Sequence, residues 1–295
     1  MISKYLSEEF IATLDKFNLR ARLIVEGFII GLHKSPYHGF SVEFSDHRQY
    51  IPGDSINKID WKVFGKTNRY YIKRFEEETN LKCYIIFDHS RSMGYTSGDK
   101  SKLEYSKALA SALAYLMITQ QDAVGFLSYT DKITNYLPPR SIKSYLKQIY
   151  SKLYQLEAED KTQTAEVLHS LADRIKKRGL IILISDMIDD PEKLITGLQH
   201  FRHQKHEVIL FHIQDKQEED FKFKRETEFV DSETGDKVTV NPWQIRHKYK
   251  ETYSEFTKFL KRKCFESNIE YNPISTDTSF EENLLKYLTK RSKLY

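Results

Sequence analysis

The sequence predicts an α/β protein: a doubly wound, mainly parallel sheet flanked by helices, with a small N-terminal β-rich attachment. Three observations carry this reading. From Leu81 onward, short apolar runs alternate with helical segments. Runs such as Y-I-I-F (Tyr84–Phe87) and L-I-I-L-I-S (Leu180–Ser185) are almost continuously apolar, as strands covered on both faces are. Much of the glycine of the chain, with Pro36 and Pro52, falls instead between residues 27 and 75.

In chain order, Leu6, Phe10, Leu14, Phe17, Ala21 and Val25 recur at helical spacing, so residues 5–26 read as one or two amphipathic helices. P-Y-H-G and I-P-G-D then mark turns between short strands. Tyr70–Glu78 alternates imperfectly, as an edge strand would. Residues 1–78 therefore form an N-terminal helix plus a small β-rich unit, and residues 79–295 the α/β domain. In that domain Lys82–Phe87 is a strand. Lys102–Met117 is a helix whose alanines between Ala108 and Ala114 suit close packing on a sheet. Ala123–Tyr129 is a strand, with Thr130–Lys132 as a turn into I-T-N-Y-L. Helices follow at about Ser141–Leu156 and Thr164–Lys177, then a strand at Leu180–Asp186, a helix near Pro191–Gln204 and a strand at Glu207–Ile213. Glu228–Val240 reads as a hairpin, Trp243–Asn268 as a long helix, Glu270–Ser275 as a strand and Phe280–Arg291 as a last helix.

Composition narrows the function classes. The 40% hydrophobic content supports a sizeable core, and 46 basic against 42 acidic residues give a net charge of only +4. That balance tolerates nucleic acid without demanding it, and no basic stripe interleaved with aromatics supports such binding. No run approaches the roughly 18–20 apolar residues of a membrane span, and the N-terminus lacks a signal-peptide pattern. Cys83 and Cys264 read as reduced structural thiols, which together with the missing signal makes a cytoplasmic location the expectation.

The chemistry concentrates in F-D-H-S-R-S-M-G (Phe87–Gly94), directly after the Y-I-I-F strand. Ligands in such sheets bind beyond the carboxyl ends of the strands, where both Asp88 and Asp186 fall. Asp88, Ser90 and Ser92 are spaced so that, in extended chain, their side chains point the same way. K-T-Q-T (Lys161–Thr164) and Asp186 could add further oxygens. Carboxylates and hydroxyls without His or Cys match Mg²⁺, with Mn²⁺ or Ca²⁺ as alternatives, and not zinc. Three roles are open to Asp88: nucleophile, metal ligand or helix cap. A phosphotransfer site of the D-x-D type needs a second carboxylate where Ser90 stands. A Mg²⁺-dependent hydrolase or phosphotransferase would need a general base, for which His89 and Asp189 are the candidates. The histidines His200, His203 and His206 read as a solvated helix end rather than a zinc site.

D-H-S-R-S resembles the D-x-S-x-S of von Willebrand factor A domains, whose metal-ion-dependent adhesion site it forms. That resemblance implies Asp88, Ser90 and Ser92 as metal ligands, Thr162 of T-Q-T-A-E-V-L in the threonine position (Thr164 lies two residues on), and Asp186 as the final aspartate. S-D-M (Ser185–Met187) departs from the usual D-G. Gly39–Lys62, with E-F, R-x-Y-x-P-G-D and I-D-W, is similar to the signature of the domain of unknown function 58 family, and Asn57-Lys58 departs where that family usually has an arginine. The likeness covers nearly the whole chain. It implies a non-enzymatic, metal-dependent protein-interaction module whose ion takes an acidic side chain from a partner protein, and an adaptor or co-chaperone role with a MoxR-type AAA+ ATPase. Without the resemblance, P-G-D and I-D-W read as a turn and a structural Asp–Arg pair, Arg48 with Asp54 or Asp60.

Overall fold

The computed structural model describes residues 42–54, 59–77, 82–159, 163–223, 227–230 and 237–292. The helices expected over residues 5–26, and Thr162, lie outside these. The chain divides into two units, Glu26–Asn80 and a larger one that includes Leu81–Tyr295.

In the small unit, β1 (Val42–Gln49) and β2 (Tyr71–Glu77) pair antiparallel, with a register shift between Phe44 and Asp46. Helix α1 (Trp61–Thr67) lies between them in sequence. Its N-cap is Asp60, whose carboxylate accepts the N–H groups of Lys62 and Val63 at 2.9 and 3.3 Å. Arg48 pairs with Asp54, at 2.7 Å. Asp54 also accepts the Ile51 N–H, which closes the P-G-D turn.

The large unit is built on six strands in the order β5-β4-β3-β6-β7-β10. These are β3 (Lys82–Asp88), β4 (Ala123–Tyr129), β5 (Ile133–Arg140), β6 (Leu180–Ser185), β7 (Glu207–Gln214) and β10 (Glu270–Ser275). All pair parallel except β5, which runs antiparallel to β4 at the edge. β8 (Thr227–Val230) and β9 (Lys237–Val240) form the expected hairpin. The central strands are buried on both faces because helices cover both. Alternate residues point to opposite faces. Tyr84, Ile86, Ile181, Leu183, Val208 and Leu210 pack with Leu168 and Leu171 of α4 (Thr164–Arg174), Leu198 and Phe201 of α5 (Pro191–His203) and Leu260 of α7 (Pro242–Glu266). On the other face Phe211 meets Tyr287 of α8 (Phe280–Ser292) edge-on, with ring centroids 5.0 Å apart. Helix α2 (Lys102–Thr119) is buried almost all round, and Ala108, Ala110, Ala112 and Ala114 let it lie close. Helix α3 (Tyr145–Gln155) packs against α2.

The order reverses between β3 and β6. From β3 the chain winds outward through β4 to β5, and from β6 it winds the other way through β7 to β10. A doubly wound sheet opens a crevice at that point, beyond the carboxyl ends of the two strands. At the opposite, amino ends of the same strands, the chain entering β6 runs close against β3 because Gly179 carries no side chain: a Cβ on it would stand 2.2 Å from the Lys82 carbonyl oxygen.

The histidine run departs from the expected solvated helix end. His206 is buried; its Nδ1 accepts the Gly179 N–H at 3.1 Å and its Nε2 donates to the Ile175 carbonyl at 3.0 Å. The start of β7 at Glu207 draws the ring into the sheet margin, where it satisfies two loop groups. His200 turns instead toward His169, at 3.3 Å. Among the described residues, no helix is long and apolar enough to cross a membrane.

Candidate metal centre

Asp88 ends β3 and Ser185 ends β6, so the two adjoin at the crevice. Asp88 is fully buried. Its Oδ1 accepts the Ser90 N–H at 2.9 Å, which bends the chain back over the strand end, and its Oδ2 accepts the Ser185 hydroxyl at 2.6 Å. Ser185 accepts the Met187 N–H in turn. Burial, and after it the charge of Asp186, push Asp88 up to about 6.

A single 3₁₀ turn, Arg91–Gly94, begins right after Ser90 and is anchored by the buried Met93, whose N–H bonds to the Ser90 carbonyl. It brings the Ser90 and Ser92 hydroxyls to 3.1 Å from each other. Adjacent ligands of an octahedral ion with ~2.1 Å bonds lie about 3.0 Å apart. The hydroxyl pair therefore has the spacing of one edge of a Mg²⁺ coordination shell, next to a buried carboxylate. Among the described residues, no group of three or more His, Cys, Asp or Glu side chains is placed to hold an ion. An ion here depends on hydroxyls, as the sequence motif requires.

The loop that follows β3 is tied down around this turn. Both nitrogens of His89 are engaged, Nδ1 with the Glu157 carbonyl at 2.9 Å and Nε2 with Thr134 Oγ1 at 2.8 Å. The Glu159 N–H bonds to the His89 carbonyl. Thr164 opens α4, buried, with the Tyr129 hydroxyl 3.4 Å from its Oγ1.

Asp186 stands at the same crevice, but its carboxylate has a partner in the protein. Lys102, the first residue of α2, is fully buried; its Nζ donates to Asp186 Oδ2 at 2.8 Å and to Glu218 Oε1 at 2.7 Å. Burial works to strip the proton from this amine, and the two carboxylates more than offset that, so its pKa rises. Glu218 lies in the short α6 (Lys216–Asp220) and is fixed there by a reciprocal capping box with Asp215. Asp215 in turn accepts the N–H and hydroxyl of Ser97. His212, buried behind Asp186, bonds to its carbonyl at 3.0 Å and to the Tyr271 hydroxyl at 2.7 Å. Burial pulls it down to about 4, so it is neutral at pH 7.

Of the five residues expected to bind metal, the structure thus brings Asp88, Ser90 and Ser92 together and puts Asp186 at the neighbouring strand end in an ion pair; Thr162 lies outside the described residues. Asp186 and Glu218 share the ammonium of Lys102, and the charge of Asp186 also acts on Asp88, so these three carboxylates outnumber that ammonium by two charges. A divalent cation would balance them. The donor set and the local charge both fit Mg²⁺. Held there, the ion would supply a Lewis-acidic point with Asp88, Ser90 and Ser92 around it.

Sequence reasoning missed Lys102, Glu218 and Ser185. A lysine after Ser101 reads as an ordinary solvated first-turn residue, and nothing in K-Q-E-E-D marks Glu218. Ser185 had a signal, since it is a hydroxyl at the end of an otherwise apolar run.

Residues 46–258 match the family described as "Protein of unknown function DUF58". The chain belongs to this family. Relatives include the uncharacterized proteins Mb1516 of Mycobacterium bovis and Rv1480 of Mycobacterium tuberculosis, each 21% identical over 227 residues, or 76% of this chain and 71% of theirs. Similar solved structures include the conserved hypothetical protein BatB from Bacteroides thetaiotaomicron, 14% identical with a TM-score of 0.49, where 72% of this chain covers 99% of that one. The VWA domain of SpRpn10 is 11% identical, with a TM-score of 0.42 and coverage of 70% and 94%. The DUF58 chain has the expected α/β architecture, a mainly parallel six-stranded sheet flanked by helices.

Proposed function

We propose that this DUF58 chain is a non-enzymatic protein-interaction module that works through a bound divalent cation, with Mg²⁺ the first candidate. Asp88, Ser90 and Ser92 would hold the ion, Thr162 would add a further oxygen, and Asp186 would act from beside it. The observation that carries the reading is the 3.1 Å hydroxyl pair next to the buried Asp88 at the switch-point crevice. One anionic ligand and neutral hydroxyls leave a divalent ion electron-poor, and a carboxylate from another protein satisfies it. The resemblance described above makes a MoxR-type AAA+ ATPase the proposed partner, with this chain as its adaptor. The buried, unpaired thiols of Cys83 and Cys264 suit the reducing cytoplasm.

A hydrolase or phosphotransferase at this site finds little support. A general base must be within reach of the proton it takes. Both His89 nitrogens are engaged, one by the Glu157 carbonyl and one by Thr134 of β5. Asp189 accepts the backbone N–H groups of Ala165 and Asp190.

The test is capture of a purified MoxR-type ATPase from the same genome on the immobilised chain. The proposal expects retention in Mg²⁺, release by EDTA, and no retention by Ser90→Ala/Ser92→Ala. Retention that is indifferent to EDTA contradicts it.

A further inference from the structure

The Lys102 ammonium that holds Asp186 at the crevice has no part in the reading above, and a buried lysine there calls for a role. An ammonium removed from water is costly and persists only when carboxylates surround it. Lys102 has two, at 2.8 and 2.7 Å, and one of them is the aspartate that the sequence motif offers to the metal. Its position leaves little freedom to withdraw. It is the first residue of a helix capped by Ser101, and Glu218 is locked by its capping box. The Tyr95 ring closes over the ammonium, 5.8 Å from its centroid.

We infer that Lys102 is a tethered cation that withholds Asp186 from the metal, so that a divalent ion in the crevice keeps Asp88 as its one carboxylate ligand and stays receptive to a carboxylate from outside. This rests on the proposed metal site and names the residue that sets its charge. The Lys102 amine and a metal ion compete for the same carboxylate. While the amine holds it, the ion is left with Asp88, neutral hydroxyls and water. Were Asp186 free, a second anionic ligand would tighten the ion and quench its demand for a partner.

Titration of Mg²⁺ into three proteins tests this, with circular dichroism to establish that each is folded. Lys102→Met removes the tethered cation and should tighten Mg²⁺ binding at least about tenfold, since a unit charge within a few ångströms of a divalent ion carries that weight even at high dielectric. This variant leaves the buried Asp186 and the partly buried Glu218 without a counter-ion and is the one at risk of not folding. Lys102→Met/Glu218→Gln carries the same net charge as the wild type and leaves only Asp186 unpaired. A gain of about tenfold or more in that folded protein, with total charge unchanged, is the expected result and comes from the release of Asp186. Wild-type or weaker affinity in the folded double variant overturns the inference and leaves the metal site standing. Binding by the double variant but not by the wild type supports the inference in a stronger form and removes the wild-type metal. No binding by either overturns both.

Discussion

Asp88 is the residue on which site and fold pull in opposite directions. Burial, then the neighbouring Asp186, raise its pKa from 3.8 to about 6. Each unit corresponds to about 1.4 kcal/mol, so an ionised Asp88 without a counter-ion costs the folded state roughly 3 kcal/mol at neutral pH. Asp88→Asn removes the charge at constant shape. The amide oxygen can still accept the Ser90 N–H, and the amide nitrogen can donate to Ser185 once that hydroxyl turns, so both contacts survive. In EDTA at pH 7.5 the variant should be more stable than the wild type by about 2–3 kcal/mol, equivalent to a rise of roughly 5 °C or more in Tm. Between pH 4 and 6 the folded state holds a proton on Asp88 that the unfolded state has released. Wild-type stability therefore falls as pH rises through that window, and the advantage of the variant grows with it. Below about pH 4 the two should converge. Saturating Mg²⁺ should restore the wild type and leave the variant unchanged. Thermal and urea unfolding followed by circular dichroism, from pH 4 to 8 with and without EDTA, measure all of this. A variant less stable than the wild type at pH 7.5 in EDTA, or an advantage that does not change with pH, would refute the reasoning.

Gly179→Ala should cost about 3 kcal/mol in urea unfolding, because the new methyl would meet a backbone oxygen, 2.2 Å from the Lys82 carbonyl, where no side chain can yield. Cys83 and Cys264 are fully buried, and burial raises both thiols, Cys264 to about 12. Ellman's reagent at pH 8 should therefore find no reactive thiol in the native protein and two after denaturation; rapid native labelling would show that the sheet opens. Arg48→Ala breaks a partly exposed ion pair with Asp54 and should cost only about 0.5–1 kcal/mol in chemical denaturation.

Periodicity made the sheet legible. Unbroken apolar runs such as Leu180–Ser185 fit strands buried on both faces, and β3, β6 and β7 lie within a residue of the expected strands, while β5 runs three residues past the expected I-T-N-Y-L. The long helix expected from Trp243 to Asn268 runs from Pro242 to Glu266. The motif spacing likewise placed Asp88, Ser90 and Ser92 at one strand end. What a single sequence hides is long-range pairing. Lys102 and Glu218 are 116 positions apart, and only the winding of the sheet joins them. His206 looked like part of a polar helix end because the pattern gives no hint that the Gly179 loop needs an acceptor there.

Everything proposed for this chain depends on Asp88, Ser90 and Ser92 holding a divalent cation. Isothermal titration of Mg²⁺ into the wild-type chain and into Asp88→Ala tests it most directly. One saturable site is expected in the wild type and none in the variant. Equal uptake by the two proteins, or none by the wild type, would contradict it.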